Sequence, residues 1–252
     1  MLTRIQLPVL TLCLSWCIYQ TLPSIAVKER EEKLEEKLDV HIVSFHHVPE
    51  LESKLAQFNT VFWDARDSES LRKLIGDGKI ASGLSVLEIG TGTGIISLCC
   101  LRHGAARVVA TDINPRAVAN AKYNAERLGL DAHLDVRRVA AGRPGAYSVI
   151  GDGEKFDLII SNPPWEDAVP RKVSEFAFYD TEFQLLDSIL CELDRHLTGE
   201  GRALLVYGCV TAIDQLVERA GKYELKVTQL DDRDLTVLPE LFLPGMLLEV
   251  RR

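Results

Sequence analysis

The stretch VLEIGTGTG, Val86 to Gly94, decides the fold. An apolar strand runs into an acid, Glu88, and then into alternating glycines at Gly90, Gly92 and Gly94, after which Ile95 to Arg102 reads as a helix. Glycine lets the backbone take positive φ and come close to a ligand, and amides at a helix N-terminus can face an electronegative group. This is the pattern of a nucleotide-cradling turn. The dinucleotide fingerprint G-x-G-x-x-G, counted from Gly90, would need its last glycine where Ile95 stands. Here it falls one position early, at Gly94, so NAD is disfavoured.

Downstream the alternation of strand and helix is regular. Leu84 to Glu88 is the first buried strand of the core and Arg107 to Thr111 the second, ended by Asp112. Asn114 then caps a helix whose first residue is Pro115, a preferred first helical residue, and which Gly129 stops. Leu134 to Val139, Phe156 to Ile160, Ala203 to Tyr207, Tyr223 to Leu230 and Met246 to Val250 read as the remaining strands. Helices are expected at about Glu182 to Leu197, ended by Gly199 and Gly201, and at Ala212 to Ala220. Such alternation predicts an α/β fold with a doubly wound, mostly parallel seven-stranded sheet and right-handed crossovers.

Upstream, Ile5 to Val27 carries no charge, which meets the length of a membrane-spanning helix. Residues 1–27 are therefore expected to be a hydrophobic leader helix that anchors the chain. A cleaved signal peptide and a mis-called start are the competing readings. Lys28, Arg30, Lys33 and Lys37 follow the run, and the positive-inside tendency puts the catalytic part in the cytoplasm. Residues 28–40 read as a charged helical neck, residues 41–83 as an N-terminal extension or lid, and residues 84–252 as the core domain. Within the extension His41 to Val48 reads as a strand, and Asp67 or Ser68 as the cap of a helix ending near Ile75. His46 and His47, neighbours on a strand, point to opposite faces and do not converge on a metal. The six cysteines show no metal or C-x-x-C spacing, and no metal is expected.

Glu88 with the glycine turn, Asp112 with Asn114, and the tetrapeptide Asn162-Pro163-Pro164-Trp165 all fall at the carboxyl ends of strands. Ligands of open α/β sheets bind in the crevice beyond those ends, where strand order reverses. The first and fourth core strands are the expected neighbours there. Asp112 suits a pair of ribose hydroxyls, because a carboxylate accepts from both. Glu88 can shape the glycine turn or meet an ammonium. Asn114 reads as a helix cap before it reads as a ligand.

In NPPW two consecutive prolines fix φ and donate no hydrogen bonds. The Asn162 side-chain oxygen and the Pro163 carbonyl can both accept, and Trp165 offers a flat face. That set suits a planar group carrying NH2, an amide or a nucleobase amine. The loop Glu166 to Glu182 reads as substrate-facing, and Arg171 and Lys172 as contacts to a phosphate or an acidic segment.

VLEIGTGTG, VVATDINPRAVANAKYNAERLGL and FDLIISNPPW, in that order, resemble the class I S-adenosylmethionine-dependent methyltransferases, in the amino-methylating branch with an Asn-Pro-Pro-aromatic motif. Together with VFWDARDSESL, the ATDINPRAV segment most resembles the release-factor glutamine methyltransferases and the "small-domain" methyltransferases of ribosomal RNA. The resemblance implies a Rossmann-like fold. It also implies S-adenosyl-L-methionine as cofactor, bound by Glu88, Gly90, Thr91, Gly92, Gly94, Asp112 and Asn114, with Asn162 at its edge. Asn162, Pro163 and Trp165 would then be the catalytic set, with Pro164, Trp165, Arg171 and Lys172 facing the substrate. The chain departs from the family pattern at Trp63-Asp64-Ala65-Arg66, where proline-rich residues are usual. It departs again at Ala140-Ala141, where an acidic signature is usual. Only Val40 to Gly83 lies between neck and core, leaving no room for the helical recognition domain of release-factor enzymes.

The reading is an N-methyltransferase acting on a planar amide or amino nitrogen. A net charge of −8 and a pI near 5.3 argue against a broad duplex footprint. A protein glutamine-like or small-molecule acceptor is favoured over an rRNA or tRNA base. A non-catalytic tethered module and an NAD-linked dehydrogenase are the rivals.

Overall fold

The computed structural model describes residues 39–252 except residue 79. The leader and all but the end of the neck lie outside the described residues. Among the described residues no helix is long and apolar enough to cross a membrane.

In chain order the main elements are β1 (Ile42–Val48), β2 (Ser53–Phe58), α1 (Glu69–Gly76), β3 (Ser85–Ile89), α2 (Ile95–Arg102), β4 (Arg107–Asp112) and α3 (Pro115–Leu128). They continue with β5 (Leu134–Arg138), β6 (Phe156–Ser161), α4 (Gln184–Cys191), α5 (Leu193–His196), β7 (Leu197–Cys209), α6 (Val210–Lys222), β8 (Lys226–Gln229) and β9 (Leu241–Arg251). Seven strands form one sheet in the order β5-β4-β3-β6-β7-β9-β8. All pairs are parallel except those of β9, which runs antiparallel to β7 and β8.

Strand periodicity sorts the core into two layers. Leu87 and Ile89 of β3 join Tyr147, Phe156 and α4 on one face, while Val86 joins α1, α2 and the hairpin residues Val48, Leu51 and Leu55 on the other. The order of β4, β3 and β6 places the first and fourth core strands side by side, as expected from the sequence. The switch point of the sheet therefore lies between the glycine turn and NPPW.

One strand is added to the sequence reading and two expectations are corrected. The segment after β1 returns as a second strand, β2, and the two form an antiparallel hairpin. The expected helix from Glu182 to Leu197 is two shorter ones. Glu182 and Phe183 hold positive φ of 53° and 55°, so helical backbone starts only at Gln184, and Glu192 breaks it. Strand β7 begins at Leu197, not Ala203. Its pairing jumps from Phe156–Leu197 to Leu158–Arg202, so Gly199 and Gly201 make a bulge inside the strand instead of separating it from a helix.

The hairpin is fastened by buried asparagines of α3. Asn124 Oδ1 accepts from Ala56 N at 2.8 Å and Asn120 Oδ1 from Phe58 N at 2.9 Å. The Asn124 amide donates to Ala56 O and to Thr93 O, each at 2.9 Å. One side chain thus links the hairpin to the glycine turn.

Candidate active site

A cleft of about 920 Å³ opens at the carboxyl ends of β3, β4 and β6. Its lining includes Glu88, Gly90, Asp112, Asn162 and Trp165, together with Phe62, Asp64 and Asp67 of the extension and Phe178 of the loop after NPPW.

The glycine turn is held by its own neighbours. Gly90 N and Thr91 N both donate to Thr111 O at 2.9 Å, and Gly92 N donates to Asp112 Oδ2 at 2.9 Å. The expectation that turn and helix amides face the ligand is corrected. The amides of these three residues are spent internally, and the turn contributes close approach. At Gly90 and Gly92 φ is positive and no atom lies within 4 Å of where a Cβ would stand. At Gly94 that Cβ would meet Ala121 at 3.1 Å, so this glycine serves the packing of α3.

Glu88 is 1% exposed, and one carboxylate oxygen, Oε2, does structural work. It accepts from Thr91 Oγ at 2.7 Å, from Ser97 N at 3.1 Å and from Ser97 Oγ. Ser97 is the third residue of α2, so the carboxylate caps that helix from outside. The other oxygen, Oε1, is buried and has no partner. Burial, opposed by those hydrogen bonds, pushes the carboxyl up to about 7. A buried carboxylate with one idle oxygen is suited to a cation.

Asp112 Oδ1 accepts from Asn114 N at 2.8 Å and Oδ2 from Gly92 N. Each oxygen keeps acceptor capacity for a hydroxyl. Burial raises this carboxyl to about 6 against those donors. Asn114 is engaged at both ends: its oxygen accepts from Arg116 N at 3.0 Å and its amide donates to Thr60 O at 3.0 Å. It lines the cleft as the helix cap and brace that the sequence suggested. Thr91 is likewise occupied with Glu88.

On the opposite wall, Ser161 Oγ donates to Ile89 O at 2.7 Å and locks the end of β6 to β3. Asn162 follows. Its Oδ1 is buried without a partner. Trp165 is half-buried with its six-membered ring over Gly208, where a Cβ would come within 2.5 Å of Cη2. The loop after NPPW crosses the mouth, and Phe178 meets Phe62 edge-to-face at 5.4 Å. Arg171 and Lys172 are exposed on this loop and outside the cleft lining, so they are not brought to the site. His46 stacks on Trp63 at 4.2 Å and bonds Gln57, a role in packing. Among the described residues no group of His, Cys, Asp and Glu is placed to hold a metal ion.

An idle buried anion, an aspartate with spare acceptor capacity and an open glycine bend, all on one side of an Asn-Pro-Pro-aromatic wall, define a site for a nucleoside bearing an amino acid. Comparison with known proteins agrees. A family model described as ribosomal protein L11 methyltransferase (PrmA) matches residues 69–163. A Methanocaldococcus jannaschii protein, given the provisional name protein N5-glutamine methyltransferase, is 31% identical over 180 residues, covering 69% of this chain and 85% of that protein. The release factor glutamine methyltransferase of Cereibacter sphaeroides is 34% identical over 172 residues, covering 62% of this chain and 59% of its own. Among solved structures, the Thermus thermophilus 16S rRNA N2 G1207 methyltransferase in complex with AdoMet and guanosine superposes with a TM-score of 0.56 at 16% identity, covering 86% of this chain and 52% of that one. The chain belongs to the class I S-adenosylmethionine-dependent methyltransferases, in the branch carrying the Asn-Pro-Pro-aromatic motif, and S-adenosylmethionine is its cofactor.

Proposed function

We propose that this enzyme methylates a planar amide or amino nitrogen, with the side-chain amide of a protein glutamine as the favoured acceptor. The observation that carries the reading is the Oδ1 of Asn162, buried at the cleft wall and without a partner. An idle buried acceptor costs free energy until a donor meets it, and an acceptor NH2 supplies that donor. Asn162 Oδ1 and the Pro163 carbonyl together take both hydrogens and leave the nitrogen lone pair directed out of the amide plane, towards the donor side. Trp165 bounds the flat group.

When bound, S-adenosylmethionine would supply an electrophilic methyl on a sulfonium sulfur, with a neutral thioether as leaving group and the acceptor nitrogen's proton lost to water. Glu88 Oε1 would hold the ammonium of the cofactor and Asp112 its ribose hydroxyls, and Gly90 and Gly92 would let the backbone approach it. Catalysis is orientation and electrostatics.

Charge favours protein over RNA. Asp64, Asp67, Glu166, Asp180 and Glu182 line the cleft, with Arg143 and Arg195 as its basic residues. A polyanion entering such a mouth is repelled. The names of two relatives, which act on glutamine, point the same way. Asn162→Ala should lower turnover by about two to three orders of magnitude, as for removal of one preorganised polar group. Calorimetry should find S-adenosylmethionine binding nearly unchanged. Full turnover in this variant would refute the role.

A further inference from the structure

Among the described residues five buried side-chain atoms lack a hydrogen-bond partner: Ser85 Oγ, Glu88 Oε1, Asn162 Oδ1, Trp165 Nε1 and Tyr207 Oη. Those of Glu88, Asn162 and Trp165 belong to residues that line the cleft, whereas Ser85 and Tyr207 lie outside its lining. Glu88 Oε1 suits a cation and Asn162 Oδ1 an NH2 group. The third differs in kind, because an indole nitrogen can only donate. A tryptophan N–H that is buried usually finds an acceptor, and this one has none within the protein.

We propose that the Trp165 indole N–H donates to the carbonyl oxygen of the methyl acceptor, so that the site recognises a whole carboxamide and not its nitrogen alone. The proposal rests on the role of Asn162 given above. A primary carboxamide offers N–H donors and a carbonyl acceptor in one plane. Asn162 Oδ1 is matched to the first and Trp165 Nε1 to the second, and the two residues flank the stiff Pro163-Pro164 pair. An alkyl amine, such as a lysine side chain, has no carbonyl and would leave the indole idle.

The seat of the indole explains why its donor stays unpaired in the free enzyme. A Cβ at Gly208 would stand 2.5 Å from Cη2 and 2.8 Å from Cζ3, the far edge of the six-membered ring, and 2.5 Å from the Phe242 carbonyl oxygen. The backbone of Gly208 is not left-handed, so it is the ring and that carbonyl that require glycine there. Gripped at this edge, the indole cannot swing Nε1 out to water. A hydrogen bond to the carbonyl oxygen draws density away from the amide nitrogen, so the contact holds and selects the acceptor without speeding the transfer. Its loss should therefore appear in KM and leave kcat in place.

The test removes the N–H and keeps the shape. Trp165→benzothienylalanine, made by site-specific incorporation, puts sulfur where the N–H stands, and Trp165→Phe is the second variant. Transfer of tritiated methyl into the protein fraction of a cell lysate is followed against lysate concentration at saturating S-adenosylmethionine, with Tm and S-adenosylmethionine affinity measured alongside. In the isostere the half-saturating lysate concentration should rise about three- to tenfold, as for one neutral hydrogen bond. The maximal rate and the affinity for S-adenosylmethionine should stay within about twofold. Tm should be equal or higher, because the change removes a buried donor that the free enzyme leaves unpaired; an N–H bonded within the fold would lower it on removal. Trp165→Phe, which also lacks the donor, should show at least the same rise in half-saturation. Wild-type enzyme should label carboxamides and not lysine amines. An isostere with wild-type half-saturation, a lowered Tm in the isostere, or label in lysine as readily as in carboxamide would overturn the role of the indole while leaving Asn162 in place. A fully active Asn162→Ala would instead remove the reading beneath it.

Discussion

Glu88 divides its two oxygens between structure and ligand, and this division gives a sharp residue-scale expectation. Glu88→Gln can keep the contacts of Oε2 to Thr91 and Ser97 but puts an NH2 where a cation is due. A charged hydrogen bond contributes about 1.5–3 kcal/mol, so S-adenosylmethionine should bind about 10- to 150-fold more weakly, as read by calorimetry. Only the carboxylate form attracts an ammonium. Wild-type affinity should therefore rise with pH through about 7, and the variant should lack that rise. The sequence made Glu88, Asp112 and Asn162 legible because each sits where a strand ends in a polar residue before a turn. It did not disclose that Thr91 holds Glu88, that Gly94 serves the packing of α3, or that Asn114 also braces Thr60. A spacing pattern does not distinguish a residue that touches a ligand from one that braces its neighbour. Asp67 read as a helix cap, and only the folded chain shows that the strap carrying it lines the cleft.

At the scale of elements, α3 carries more than its apolar face. Its alanines were legible as an inward stripe, and the interleaved Asn120 and Asn124 were not, because a polar residue in an amphipathic pattern reads as solvent-facing. Both are fully buried and supply edge hydrogen bonds to β2. The same cause hid β2: its alternation is weak because its pairing partners are a short hairpin strand and two side chains. Asn124→Ala strips Ala56 N and Thr93 O of a partner. Each buried group left unpaired costs about 1–3 kcal/mol, so the urea midpoint should drop clearly. Because Thr93 belongs to the glycine turn, cofactor affinity should fall with it. A variant as stable as wild type would show that α3 does not fasten the hairpin. Gly199 and Gly201 read as an interruption because glycine marks both a bulge and a chain break, and pairing with β6 decides between them.

Across the molecule, three buried acids and the half-buried Asp112 are pushed up, Glu88 to about 7 and Asp67, Asp112 and Asp180 to about 6. Between their ordinary and raised values the folded state binds more protons than the unfolded chain, so stability falls as pH rises from about 4 through 7. Glu154, held down to about 2 by Arg137, acts oppositely: its contribution is present above its ordinary value and is lost as pH falls towards 2. Without cofactor, Tm should be higher at pH 5 than at pH 7.5, and the gain on adding S-adenosylmethionine should be larger at pH 7.5, where Glu88 is ionised. A flat or rising Tm over that interval would contradict the placement of these acids. The sheet order that gathers them was legible in the alternation of strands and helices. The acidity of the cleft was not, since its acids come from the strap 61–68, the loop 166–182, two strand ends and the separate positions Asp152 and Glu192. The central claim, transfer of a methyl to a planar nitrogen held by Asn162, is tested most directly by following label from tritiated S-adenosylmethionine into a fractionated lysate. Wild-type enzyme should place label in protein, recoverable as methylated glutamine side-chain amide, and Asn162→Ala should place almost none. Label entering RNA would contradict the acceptor, and equal labelling by both enzymes would contradict the role of Asn162.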